Sequence, residues 1–502
     1  MFSNMNNQTV LQKNTARTLL TYSCVVLFSF SLLAISGCGK FLDLPPRDKF
    51  PQETLFSDEQ GFMDALTGVY LGMDKANNGP TQGLYTEDLT VGMLSVMGYN
   101  YTNATTSTAK NGFYANTSRY NYTDGIVKTE IEGIWSGMYN NIANLNNLLI
   151  HIEGKRGVFS RDNYNRLKGE ALALRALFHF DLARLFGQSP VTGANQKSIP
   201  YITKFNIQPT AFVTLNVALD SCISDLQKAK SLLAQTDTSA IKKGSYDLFS
   251  SYTQNHMNYW ATQALLARAY QYKGDFVNAK ANAAAVIASG KFPLVTENLA
   301  NSGKITRDRL FSQELVFSVY STTLTTINTG LFDLQTAALQ LAATNKNALY
   351  TGNTGSVNDY RLLSWFDNNT AGLNVPSKLF QDKGLPYVLQ NIMPILRISE
   401  MYYIAAESSG MEGNIGTGLS FLNKVRTSRG LSELMLTTIT DEATLSNEIM
   451  KEYKKEFIQE GQTFFYYKRL NKDLAAVTGT TVIVPQGAYV FPVPDKEVEY
   501  NH

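Results

Sequence analysis

Between Tyr85 and Tyr122 the chain carries Tyr85, Tyr99, Tyr101, Phe113, Tyr114, Tyr120 and Tyr122, with Asn100, Asn103, Asn111, Asn116 and Asn121 interleaved. Aromatic rings offer an apolar platform, and amides are at once donor and acceptor. Together they suit a ligand with flat C–H faces ringed by hydroxyls, which is the chemistry of a sugar ring. The first candidates for ligand contact are therefore Tyr85, Tyr99, Asn100, Tyr101, Tyr114 and Tyr120. Tyr360 and Trp365, in an aromatic and charged knot with Asp359, Arg361 and Phe366, form a second set. The competing reading is that these aromatics plug a core. Trp135 sits on a strongly periodic apolar face and reads as core.

Catalytic chemistry has less support. The histidines are His151, His179, His256 and His502, in no metal-ligand spacing. His179, between Phe178 and Phe180, reads as a satisfied helix histidine. HExxH, GxSxG, Walker-type and paired-cysteine motifs do not occur, and no Asp-x-Asp-x-Asp loop argues for calcium. No metal, cofactor or catalytic residue is assigned. A glycosidase needs two carboxylates flanking one bond. Glu87/Asp88 and Glu130/Glu132 are such pairs by sequence alone, and nothing singles either out. A surface glycoside hydrolase is thus the alternative to a binding protein, with a helical-repeat envelope adaptor as a third reading.

At 502 residues the chain exceeds one typical core. Its formal charge is +2, both surplus cations being Lys13 and Arg17. A balanced chain without a basic stripe argues against nucleic acid. Lys13 and Arg17 precede the apolar run Leu19–Ile35 and the small residues Ser36 and Gly37, the pattern of a secretory signal over residues 1–37. LAISGC resembles the bacterial lipobox, which makes Cys38 the lipidated mature terminus. Cys24 leaves with the signal, and Cys222 is expected to be a buried, inert thiol.

Helices must position these residues. Ser57 and Gln60 have capping-box spacing ahead of a helix at about 58–76. The stretch 77–123 has poor periodicity and reads as loop with short strands or helix turns. Helical pairs follow near 131–186, 214–234 with 255–272, 264–290, and 395–428. Pro394 suits a helix start, with Ile395, Ile398, Met401, Tyr402 and Ala405 on one face. Arg397 and Glu400 are spaced to form a surface pair there. Glu314 to Val319 reads as a short β-like run opening a loop-rich insertion over 301–388.

The lipobox with LDLPP, ALRALFHFDLARLFG, MPILRISEMYYIAAE, LNKVRTSRG, EYKKEFIQEGQ and the terminal FPVP, in this order, resemble the SusD/RagB family over nearly all of the chain from Cys38. Departures occur at Glu452-Tyr453 and at Glu460-Gly461-Gln462-Thr463, which lacks the family's arginine, so the resemblance does not fix ion pairing there. It implies an all-α fold of tetratricopeptide-like helical pairs with long loop-rich insertions. The divisions are a signal peptide (1–37), an amino-terminal helical region (38–235) and a carboxy-terminal region (236–502). It further implies a non-enzymatic lipoprotein of the outer membrane, held in lipid by acylated Cys38 and facing the exterior. Such a protein binds a nutrient, most often an oligosaccharide, and passes it to a TonB-dependent, SusC-like transporter.

Overall fold

The structure, a computed structural model, describes residues 52–75, 79, 81, 83–236, 238, 251–300, 307–333, 338–351, 358–369, 371–380, 389–476 and 479–500. It divides into two units, Met1–Ser57 and Asp58–His502. In the first, the described residues form one helical turn, Gln52–Leu55. The expected signal peptide, Cys38 and LDLPP lie outside the described residues.

The second unit is built from helices. In chain order the principal ones are α1 (Glu59–Asp74), α2 (Met93–Met97), α3 (Ala109–Ser118), α4 (Gly125–Ile152), α5 (Asn163–Phe186) and α6 (Leu215–Leu233). They continue with α7 (Tyr259–Lys273), α8 (Phe276–Ala288), α9 (Ile398–Met411), α10 (Ile415–Ser428), α11 (Glu442–Glu456) and α12 (Gln462–Leu470). From α4 to α10 each helix packs on the next, and α11 packs on α9. This is the all-α array of helical pairs that the sequence predicts. Small residues set the spacing. A Cβ on Gly169 of α5 would come within 2.6 Å of Leu233 Cγ in α6, so glycine there lets the two helices close up. A Gly-Asp turn joins α7 to α8. Gly274 has φ 86°, the left-handed conformation glycine adopts without strain, and Asp275 caps α8 by accepting from Asn278 N–H.

Strands are few. β1 (Lys197–Pro200) pairs with β2 (Phe212–Thr214), β3 (Leu315–Tyr320) with β6 (Ile392–Arg397), and β4 (Phe366–Asn368) with β5 (Asn374–Pro376), all antiparallel. The predicted β-like run is β3, and β6 overturns part of the reading at its partner. Pro394 lies inside β6, opposite Ser318 beside a break in register, and the helix begins at Ile398. A short apolar run buried on both sides carries no period, so Ile392–Leu396 could not be told from a helix start. One other boundary moves. The cap of α1 is Asp58, which accepts from Gly61 N–H at 2.9 Å, and not the Ser57–Gln60 box. The short elements expected within 77–123 are a π-helical turn (Leu84–Asp88), α2 and α3. Residues 84–98 are buried throughout, which is why they show no period.

Candidate functional site

The second set of candidates lies in a sealed ion cluster. Trp365 is fully buried, donates from Nε1 to Arg309 O at 2.7 Å, and has the Lys378 ammonium 3.8 Å from its ring centroid. Around it, Arg361 pairs with Asp359 and Glu452 at 2.7 Å and with Glu456 at 3.1 Å. Arg429 joins Glu314 (2.7 Å) to Glu456 (2.5 Å), and Arg397 reaches Glu314, Glu456 and Glu460. Lys378 completes it on Glu460. The expected Arg397–Glu400 surface pair is therefore absent. Arg397, at the end of β6, points into this cluster, while Glu400 pairs with Arg268 of α7 at 2.5 Å, both buried. Glu460, in the segment that departs from the family pattern, keeps its ion pairs. Burial alone would push Glu452 up, but the Arg361, Lys455 and Arg426 charges hold it down at about 2. Burial likewise works against Glu456, and Arg429, Arg361 and Arg397 overcome it and hold it far below the carboxylate range. Tyr360 is 7% exposed beside this cluster, and its N–H donates to Arg429 O.

The first set separates into two groups. Tyr85 is buried and donates to Asp181 Oδ2 at 2.7 Å, Tyr101 is buried and donates to Val91 O at 2.6 Å, and Tyr114 is buried and donates to Glu87. Asn100 is 1% exposed, and its side-chain amide has no partner among the described residues. Tyr99 and Tyr120, by contrast, are half-exposed, with ring centroids 6.4 Å apart. Tyr99 donates to Ser118 O (2.7 Å) and Tyr120 to Met97 O (3.1 Å). Half-exposed Tyr122 extends the row, edge-on to Tyr120 at 6.5 Å, and donates to Ala488 O. Tyr122 belongs to the same Tyr/Asn run but was not singled out there.

Backbone geometry in this row is of a kind shared by the aromatics Tyr252 and Phe311. Tyr99 (φ 52°) and Tyr120 (φ 56°) are both left-handed, as are Lys110, Asn111 and Gly112 within α3. For a non-glycine residue that conformation costs about 1–3 kcal/mol and persists only where surroundings impose it. Here the two hydroxyl anchors do so, holding each ring in a fixed place. Burial pushes the Tyr99 and Tyr120 hydroxyls up, so they remain neutral donors at physiological pH. The insertion borders the row. Thr102 N–H donates to Gln340 O and Gln340 N–H to Asn103 Oδ1, both at 2.7 Å, and Ser107 donates to Ala338 O.

The nearby acids are closed to substrate. Glu87, Asp88 and Glu130 are all buried. Glu87 binds Lys110 and Tyr114, and Glu130 accepts from Thr81 at 2.9 Å. Burial, then the Glu130 charge, pushes Asp88 well up. None of the three can flank a glycosidic bond. His179 is a satisfied helix histidine, as predicted: Nδ1 lies 2.9 Å from Arg175 O, Nε2 accepts from Ile202 N–H, and burial holds it at about 3. Cys222 is buried in α6, and burial pushes its thiol up. Among the described residues no acid, histidine and cysteine cluster has the makings of a metal site, and no helix is long and apolar enough to cross a membrane.

Two family models match the sequence. One, described as starch-binding and associating with the outer membrane, covers residues 40–271, and the other, the SusD family, covers 386–481. The fold resembles a SusD-like carbohydrate binding protein from Bacteroides vulgatus (TM-score 0.69, 15% identity, 88% of this chain and 96% of that one). It also resembles a SusD superfamily protein from Bacteroides thetaiotaomicron (0.66, 22%, 88% and 98%). A laminarin binding SusD-like protein matches with TM-score 0.61 at 19% identity, over 88% of this chain and 98% of that one. No curated protein sequence matches. At these identities the structural likeness is one of fold, but models of one family match both ends of the sequence and the helix array agrees with them, so this chain belongs to the SusD/RagB family.

Proposed function

We propose that this protein binds a carbohydrate on the face built around Tyr99 and Tyr120 and delivers it, without cleaving it, to a TonB-dependent, SusC-like transporter. The lipid on Cys38 would hold it to the outer membrane, facing the exterior. The observation that carries the binding site is the pair of left-handed tyrosines, strained yet half-exposed and anchored through their hydroxyls. Strain retained at exposed aromatic residues is a mark of ligand contact. Two rings fixed before the ligand arrives lose little freedom on binding. Family membership supports a glycan as ligand, since one matched model is described as starch-binding and one structural relative as laminarin binding. The remaining candidates, Tyr85, Asn100, Tyr101, Tyr114, Tyr360 and Trp365, would act by holding the scaffold beneath that face.

Titration of the purified protein with soluble starch and with laminarin tests the reading. Binding without release of reducing ends, weakened by Tyr99→Ala or Tyr120→Ala, supports it. Cleavage products would instead establish the hydrolase. Gentle solubilisation of native membranes with the protein tagged tests delivery: a stoichiometric TonB-dependent barrel is expected, and recovery of the protein alone would end the transporter part.

A further inference from the structure

A cavity of about 520 Å³ opens beyond the end of the tyrosine row. Its walls are the chain leaving α5, the chain leaving α12, and the segment 484–490. Those walls are cross-tied. Phe491 N–H and the Lys468 ammonium both donate to Leu185 O at 3.0 Å. The Tyr489 hydroxyl donates to Lys472 O at 2.6 Å, and Val484 N–H to Asp473 Oδ1 at 3.0 Å. The shape therefore exists before anything enters it. Two left-handed turns, at Asn471 (φ 50°) and Gly487 (φ 81°), carry the chain around the rim.

The rim is rich in unengaged amides. Gln188, Gln196, Asn471 and Gln486 all line the cavity, and none of their side chains makes a hydrogen bond among the described residues. Gln196, Asn471 and Gln486 are exposed, so water meets these amides until a ligand replaces it. Gly193 holds one in place: a Cβ there would fall 2.2 Å from Gln188 Cβ, so the turn packs directly under that glutamine. The charges at the rim, Lys472 and Asp473, cancel. Four amides, each donor and acceptor, over a tyrosine that is 8% exposed match neighbouring hydroxyls on a neutral ligand. An apolar ligand would strip water from those amides and leave them unpaired.

One hydrogen bond links the cavity wall to the aromatic row. Tyr122 donates to Ala488 O, and Ala488 precedes Tyr489 of the cavity wall. We infer that this cavity is a second carbohydrate subsite, and that one oligosaccharide long enough to pass Tyr122 occupies both places at once. The inference rests on the capture of glycan at Tyr99 and Tyr120.

The test is calorimetric titration of the full chain with maltose and maltoheptaose, and with laminaribiose and laminariheptaose. Wild type is expected to bind a heptasaccharide at least about tenfold more tightly than its disaccharide, the effect of one or two net hydrogen bonds. Asn471→Ala with Gln486→Ala should erase that gain and leave disaccharide affinity unchanged. Gln196→Trp, which fills the cavity from an exposed position, should do the same. Unchanged melting temperatures exclude misfolding of these variants. Tyr120→Ala should weaken both lengths. A heptasaccharide affinity equal to that of the disaccharide, or untouched by the cavity variants, overturns the subsite and leaves capture at the tyrosines standing. Binding of hexaglycine that the cavity variants abolish, with no glucan response to those variants, overturns it in favour of peptide. Failure of all four sugars to bind, while starch and laminarin also fail, removes the capture reading and the subsite with it.

Discussion

The ion cluster around Trp365 and the face around Tyr120 are both aromatic, polar and partly drawn from the loop-rich regions, yet they do opposite things. In the first, Glu314, Arg361, Arg397, Arg429 and Glu456 are all within 1% of complete burial, and each charge meets at least two others. Nothing is left to offer a ligand. In the second, the Tyr99 and Tyr120 hydroxyls are anchored to the backbone, the rings are partly open, and the tyrosines themselves are neutral. Full charge with full pairing makes a joint between chain segments. Neutral groups with partial pairing make a surface that can receive something.

Removing a charge from the joint should have the largest effect. Glu456→Gln leaves Arg429 and Arg361 short of a buried partner, and loss of about 3–5 kcal/mol is expected in urea unfolding. Glycan affinity measured per folded molecule should hold. If that substitution is silent in unfolding, the joint does not hold the fold.

Acid should separate the two regions next. Glu452 titrates at about 2 in the folded chain and Glu456 lower still, against an ordinary value of 4.5. Because the folded-state values are depressed, their stabilisation is complete above about pH 4.5 and drains away as pH falls toward 2. The urea midpoint should fall across that window. Neutral-glycan affinity should be flat from pH 5 to 8, since Tyr99 and Tyr120 stay protonated there. An affinity that titrates near neutrality would put an ionised group in the site.

A ring removed from the open face should cost affinity more than stability. Tyr120→Ala deletes a stacking platform worth roughly 0.5–1.5 kcal/mol, or about two- to tenfold in Kd. Unfolding should change little, because the left-handed strain at Tyr120 is eased as its anchor is lost. Smallest of all is Lys451→Ala. Its partner Glu448 lies on the same helix as Glu456, but Lys451 is 64% exposed, and a shift under about 0.5 kcal/mol is expected. A larger shift would mean that burial is not what separates the two pairs.

The helix array was legible because α4, α6 and α8 each bury a periodic face against a neighbour, because the largely buried α5 and α7 are long Ala- and Leu-rich runs, and because Gly187, Gly274 and Gly290 mark turns the sequence displays. Pro394 misled because an apolar run is read alike in a buried strand and at a helix start. Arg397 and Glu400 are three residues apart, but one ends a strand and the other lies in the first turn of α9, so their partners come from the turn before β3, from α7, and from α11 and the chain beyond it. No local spacing encodes that. The tyrosines show the same limit. Tyr85, Tyr101 and Tyr114 lie in the same Tyr- and Asn-rich run as Tyr99 and Tyr120, and the difference between plug and platform is set by contacts with Asp181, Val91 and Glu87. The left-handed backbone at Tyr99 and Tyr120 leaves no trace in residue type, since bulky residues avoid it.

The pairing of β3 with β6 carries one more consequence. Leu315 lies opposite Arg397 and Tyr320 opposite Ile392, so the chain between residues 321 and 391 leaves and rejoins the helix array at one place. With both ends fixed, an insertion at an exposed position of that excursion alters little besides loop-closure entropy, about 0.6 kcal/mol for each doubling. The hairpin clasp thus makes the stretch tolerant of added length, as long as its buried anchors Phe332, Trp365, Val375 and Leu379 are kept and Asp359, Arg361 and Lys378 still seat it against α11 and the Glu460 turn.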